Sequence, residues 1–228
     1  MSRWCSNQLS YAPEEASQYN AASMSWIVHA DTDLVVVNKP AGLLSVPGRG
    51  ADKQDCAWLR VRARWPDALV VHRLDMATSG LLLFARSVAL QRALSMAFAQ
   101  RDVHKRYEAL VDGSPRGDAG EIDLPLAADW PNRPRQRVDR VHGKPSLTRW
   151  QVVSRDAPDQ VRVSFEPVTG RSHQLRVHAA AMGWPISGDP LYGPAEATAP
   201  RLMLHACSLS LNHPDSGQPL QWLSPSPF

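Results

Sequence analysis

The stretch that decides the fold is VHRLDMATSG, Val71 to Gly80, followed directly by LLLFA, Leu81 to Ala85. An apolar run (Leu69 to Val71) breaks into a polar loop, and a second apolar run begins at Gly80. Strands read as short apolar runs bounded by turn residues, and functional groups gather where such strands end. Within the loop, Asp75 is a lone carboxylate among Leu74, Met76 and Ala77. By itself such an aspartate is most simply a turn residue, its oxygens accepting from the amides of Thr78 or Ser79.

Working outward, DLVVVNKP (Asp33–Pro40) holds four consecutive apolar residues, three of them valine, and reads as a buried strand stopped by proline. Asp55–Pro66 reads as a helix capped near Asp55 and ended by Pro66, with Trp58, Val61 and Trp65 as its apolar stripe. Its arginines 60, 62 and 64 read as a solvated face. Ser87–Arg101 places Leu90, Leu94, Ala97 and Phe98 on one helical face, with Ser87 as its cap. Tyr107–Val111 reads as a strand. Val161, Val163 and Phe165 alternate with polar residues, as a half-buried strand requires. His173–Met182 has helical character, and Arg201–Leu211 is a last long strand. Strands outnumber helices and no strict strand–helix alternation appears. The expectation is an α+β fold, one mostly antiparallel mixed sheet flanked by helices and loops. Residues 26–228 read as one domain and residues 1–25 as a loosely attached extension.

Composition narrows the class. Of 228 residues, 43% are hydrophobic and 21% charged, with 13 Gly and 19 Pro, which are ordinary globular values. The longest apolar run falls far short of the ~20 residues that span a bilayer. No membrane contact is expected, and no secretory signal is read at the N-terminus. Cys5, Cys56 and Cys207 form no CxxC pair and read as reduced thiols, so the cytoplasm is the expected location. There is no phosphate-binding glycine loop, no HExxH and no GxSxG. Neither a cofactor nor a metal is expected, and nothing in the sequence asks for a second subunit, so a monomer is expected.

The net charge is only +3, but it is unevenly placed. Between Trp130 and Arg149 there are six Lys or Arg (Arg133, Arg135, Arg137, Arg140, Lys144, Arg149) against one acid, Asp139. A local cationic surface of this kind suits phosphate, although a solvated basic loop looks the same in sequence.

HRLDMATSG resembles the catalytic loop of the RluA family of pseudouridine synthases, whose pattern is HRLDxxTSG; His72, Arg73, Leu74, Asp75, Thr78, Ser79 and Gly80 fill every fixed position. Further segments resemble that family in its own order: Val36–Gly48, Arg101–Gly113, TGRSHQLRVH (Thr169–His178), GDPLYG (Gly188–Gly193) and RLMLHA (Arg201–Ala206). The resemblance implies a synthase that isomerises uridine to pseudouridine in structured RNA, either large-subunit rRNA or a tRNA anticodon stem-loop, without a cofactor. It implies that Asp75 is the catalytic carboxylate, that Tyr107 stacks on the base and moves a proton, and that Arg171 pairs with Asp75. It also implies that Arg73 aids base flipping, and that Leu204 lines the pocket. Arg133, Arg135, Arg137 and Lys144 would grip phosphates. Two rival readings make different demands. A non-catalytic RNA-binding module on the same scaffold would be expected to have a damaged site. A sugar hydrolase would usually need a second carboxylate in the catalytic window.

Overall fold

The computed structural model describes residues 25–157, 160–196 and 198–228, so the expected extension, residues 1–24 above all, lies outside the described residues. The fold is α+β, built on a mixed sheet. Two neighbouring strands toward one side of it are the ones the sequence marks most strongly. β2 (Leu34–Lys39) and β4 (Ser79–Ala85) pair antiparallel from Leu34↔Ala85 to Lys39↔Gly80, with β1 (Ile27–Ala30) outside β2. All seven residues of β4 are buried. Side chains alternate along a strand, so β4 feeds two cores. Leu81 and Leu83 pack with Leu90 and Leu94 of α2 (Val88–Gln100), whereas Leu82 and Phe84 pack with Ala57 and Val61 of α1 (Ala57–Arg62).

The far edge of β4 has two partners. Near its end β4 pairs with the short β3 (Leu69–Val70); at its start, Ser79 and Gly80 lie parallel to His205 and Ala206 of β11 (Leu204–Asn212). The sheet divides between these partners, and the loop Val71–Thr78 emerges from the division. Gly80 explains why the loop ends in glycine. Its φ is +112°, and a Cβ there would lie 2.5 Å from the Ala206 nitrogen, so the parallel approach of β11 excludes any side chain.

Beyond β11 the sheet continues antiparallel through β5 (His104–Asp112), β10 (Gln160–Pro167), β9 (Leu147–Ala157) and β6 (Ala119–Asp123), while β12 (Pro219–Leu223) returns along β11. α3 (Gln174–Ala181) covers this half, with Leu175 and Ala179 packed among Val163, Phe165 and Trp184. A separate hairpin, β7 (Leu126–Ala128) with β8 (Gln136–Val138), projects from the sheet and carries much of the basic segment.

Two local expectations shift. Ser87 caps α2 as read, accepting the Leu90 amide at 3.1 Å. The first helix is shorter than expected and is capped at Cys56. Asp55 instead takes two hydrogen bonds from Arg60, so its carboxylate is engaged with a side chain rather than with helix amides. Of the run Leu69–Asp75, only Leu69 and Val70 pair with β4. Next along the edge, the Leu83 amide donates to the Nε2 of His72 at 3.0 Å, so an imidazole replaces the carbonyl a continuing strand would offer.

Candidate active site

Asp75 sits where the division of the sheet opens, on a loop held from both sides. Ser45 donates through Oγ to the Leu74 carbonyl at 2.7 Å and accepts the Leu74 amide at 3.0 Å. The Gly42 amide donates to the Met76 carbonyl at 2.8 Å, and the Thr78 amide to the Asp75 carbonyl at 3.1 Å. Beneath them lies Lys39, fully buried, whose ammonium donates to the carbonyls of Pro40, Leu43 and Met76. Burial pushes Lys39 down to about 7, against the pull of the Asp75 charge. His72 stacks on Phe98 at 4.6 Å; burial, then Lys105, push it down to about 3, so it is a neutral acceptor for the Leu83 amide. The backbone around Asp75 is therefore fixed before any ligand arrives, a condition for precise chemistry.

The side chain of Asp75 is 27% exposed and meets two groups from the start of α3. Arg176 reaches its Oδ2 at 3.4 Å through Nη1, and the Nε2 of His173 lies 3.9 Å away. Arg176 is 3% exposed and is gripped by Asp189 through two hydrogen bonds of 2.8 and 2.7 Å. Burial works against its charge, but Asp189 and then Asp75 more than offset that, and its pKa stands above the ordinary value. Asp189 also accepts the amides of Leu191 and Tyr192, which fixes the turn that follows it.

Tyr192 closes the arrangement. Its ring faces the Arg176 guanidinium at 5.2 Å, and its hydroxyl accepts the Gln136 amide at 2.7 Å. The same hydroxyl lies 2.7 Å from Nδ1 of His173. One partner of this contact donates and the other accepts, which fixes the plane of the ring and turns its Nε2 edge toward Asp75. Burial pushes the His173 imidazole down, with Arg176 adding to the shift and Asp75 opposing it. His173 takes a left-handed backbone, φ +55°, uncommon outside glycine. The carboxylate thus faces one buried cation and one neutral imidazole, each fixed by a further residue.

Tyr107, on β5, is held opposite Ala206 and packs between the core under α3 and the core of Leu82 and Phe84. Burial first, then the charge of Asp75, hold its phenol well above the usual range, so it keeps its proton. Arg73, in the loop, is exposed and has no hydrogen-bond or ion-pair partner among the described residues, which leaves it available to a ligand. Leu204 is buried in the core at the start of β11, opposite Ala109.

Arg171 is the correction. It does not pair with Asp75; it is exposed, and its Nε donates to the Pro145 carbonyl at 3.3 Å. Gln174 accounts for this. Its Oε1 accepts from Thr169 and from the Arg171 amide, and its Nε2 donates to Leu147 and Thr148, pinning the turn against β9. The Arg171 side chain stays on the outer side of that turn, over Pro145. The inward arginine of TGRSHQLR is Arg176, one turn into α3. The sequence offered one signal for it, a full charge between Leu175 and Val177 in a helix with no other Lys or Arg, which once buried demands a carboxylate partner.

Arg133, Arg135, Arg137 and Lys144 are all exposed on or beside the β7–β8 hairpin. Arg135 lies 5.7 Å over the Tyr192 ring, so the basic hairpin borders the site through the same tyrosine that holds His173. Among the described residues, no three His, Cys, Asp or Glu are grouped as metal ligands, and no helix is long and apolar enough to cross a membrane.

The profile of the RNA pseudouridylate synthase family matches residues 33–181, a span that includes the Asp75 loop, Tyr107 and Arg176. The chain belongs to that family and is an RNA pseudouridine synthase. It is 46% identical over 214 residues to the dual-specificity RNA pseudouridine synthase RluA of Escherichia coli (strain K12), covering 92% of this chain and 98% of the relative. It is 49% identical over 204 residues to RluA of Vibrio cholerae, covering 88% and 83% of the two chains. Among solved structures, human RNA pseudouridylate synthase domain containing 1 superposes with a TM-score of 0.73 at 30% identity, over 89% of this chain and 83% of that one. Human domain containing 4 superposes at 0.74 with 25% identity, over 94% and 93%.

Proposed function

We propose that this synthase isomerises uridines both in large-subunit rRNA and in a tRNA anticodon stem-loop, with Asp75 as the catalytic carboxylate. The observation that carries the chemistry is a part-exposed Asp75 on an immobilised loop, facing a buried Arg176 that is itself locked by Asp189. A cation already paired with another carboxylate stabilises the Asp75 anion without neutralising it. The two-substrate reading is supported by similarity to relatives named as dual-specificity enzymes.

The reaction breaks the N1–C1′ bond of uridine and joins C5 to C1′ of the same ribose; the proton on C5 leaves and N1 gains one. No electron or group enters from outside. A single ionised carboxylate serves each route open to it: attack on C1′, attack on the base, or removal of a sugar proton. Tyr107 stacks against the detached uracil, and its hydroxyl relays the C5 proton toward Asp75. A uridine within a helix or stacked loop must leave its stack to reach Asp75, at a cost of a few kcal/mol. Arg73, exposed in the loop and without a partner among the described residues, fills or braces the gap.

Release of tritium from C5-labelled uridine in tRNA and in large-subunit rRNA is the direct test. Release from both RNAs is expected; release from one alone would limit the substrate to that RNA, and tight binding without release from either would leave an RNA-binding module. The grip on phosphate is separately measurable. Removing Arg135 and Arg137 together should flatten the plot of log affinity against log salt by about 1.5, since each phosphate contact contributes roughly 0.7–0.9 to the slope. An unchanged slope would place the phosphate-binding surface away from the β7–β8 hairpin.

A further inference from the structure

Trp130 is the one described tryptophan that is exposed; it stands 68% open, while the others are buried or half-buried. It begins the turn Trp130–Asn132 between β7 and β8. A ring of this size left in water is characteristic of a contact surface. The turn that carries it is well braced. The Asp129 amide donates to the Arg135 carbonyl, the Asn132 amide to the Asp129 carbonyl and the Arg135 amide to the Asn132 carbonyl, each at 3.0 Å. The Asn132 side chain adds a bond of 2.9 Å to the Asp129 carboxylate.

One face of the ring is already taken. The Arg133 guanidinium lies over it, 3.2 Å from the ring centroid. With that face covered and the residue still mostly exposed, the opposite face is the open one. Its surroundings are cationic. Arg133 and Arg135 are exposed on the same turn, and the carboxylate beside it, Asp129, is engaged by Asn132. A flat apolar face set among arginines matches a flat ring flanked by anions, which is an unpaired nucleotide. The same hairpin borders the site, since the Gln136 amide binds Tyr192, which binds His173 beside Asp75.

We propose that Trp130 is a base-stacking subsite for a second, unpaired nucleotide of the RNA, distinct from the target uridine, with Arg133 backing the ring. The subsite rests on the reading of RNA as substrate and extends it: the enzyme holds its substrate loop at two bases, one at Asp75 and one on the hairpin. The stack accepts any base, so it selects loops with an unpaired residue at the right distance rather than a sequence.

The test uses the full chain and a tRNA anticodon stem-loop carrying a single abasic nucleotide, moved along the loop outside the target. Wild type should lose about tenfold in affinity at one position, the scale of one base–aromatic stack. Trp130→Ala should lose a similar factor on the intact stem-loop, no further factor with the abasic site at that position, and none of the salt slope. Trp130→Phe should recover most of the affinity, and an unchanged melting temperature will show that the open ring is not needed for folding. Additive losses at every abasic position, or an unaltered Kd for Trp130→Ala, would overturn the subsite while leaving the synthase reading intact. A loss accompanied by a flattened salt slope would overturn it too, in favour of a role in orienting Arg133. A wild type that binds no stem-loop would overturn the subsite together with the tRNA half of the substrate reading.

Discussion

Asp75→Asn should lose tritium release by on the order of 10⁴-fold or more, the scale found when a single acting nucleophile or general base is removed, while its Kd for the same RNA stays within a few-fold. The substitution is close to isosteric, and the amide oxygen can still accept from Arg176. Arg176 keeps both bonds to Asp189, and Lys39, which loses the Asp75 charge, keeps its bonds to three carbonyls. The Asp75 side chain is 27% exposed, and its ion pair at 3.4 Å is long, so the loss of stability should be no more than about 1 kcal/mol. The backbone of the loop is held by Ser45, Gly42 and Lys39 through main-chain atoms that asparagine does not alter. A variant that binds RNA and melts as wild type but makes no pseudouridine isolates the carboxylate as the reacting group. Activity within tenfold of wild type would remove Asp75 from the chemistry altogether.

How far the sequence discloses this site depends on the range of the contact. The period-2 alternation of Val161, Val163 and Phe165, the Ser87 cap and the apolar run Leu81–Ala85 of β4 are local patterns, and the structure has each of them in place. The loop Val71–Gly80 was legible as a break between strands because both flanks are apolar. The shortening of β3 was not, since it depends on His72 reaching an amide eleven residues on. Nor was the parallel neighbour of β4, which comes from the far end of the chain; Gly80 hinted at a close approach without naming the partner. The Asp75 partner shows the same limit. Asp75 and Arg176 are 101 positions apart, and TGRSHQLR offers two arginines, of which the resemblance implied the wrong one. Only the Gln174 brace, which turns Arg171 outward, decides between them. Lys39, Asp189, His173 and Tyr192 stayed hidden for a related reason. Each acts by binding a residue remote in sequence, and a polar residue at a loop end shows its type but not its partner.

The choice between the two arginines predicts the second large effect. Arg171→Ala removes an exposed side chain with one 3.3 Å bond to a carbonyl, so stability should stay within about 0.5 kcal/mol and turnover within a few-fold. Arg176→Met should be severe on both counts. It strands Asp189, whose side chain is fully buried, and breaking a buried pair on one side costs about 3–5 kcal/mol. For a chain of this size that lowers the melting temperature by roughly 6–20 °C. Turnover should fall further than the folded fraction explains, because Asp75 loses its only described arginine partner, and His173 is a neutral neighbour at 3.9 Å. Instability and lost chemistry are separated by the double variant Arg176→Met with Asp189→Leu. Replacing both members of a buried pair with apolar side chains is often neutral or better for stability. The double variant should therefore recover most of the melting temperature, less what the Leu191 and Tyr192 amides lose when Asp189 goes, and recover none of the tritium release. If activity returned together with stability, Arg176 would be a packing residue only, and the anion at Asp75 would owe nothing to the guanidinium beside it.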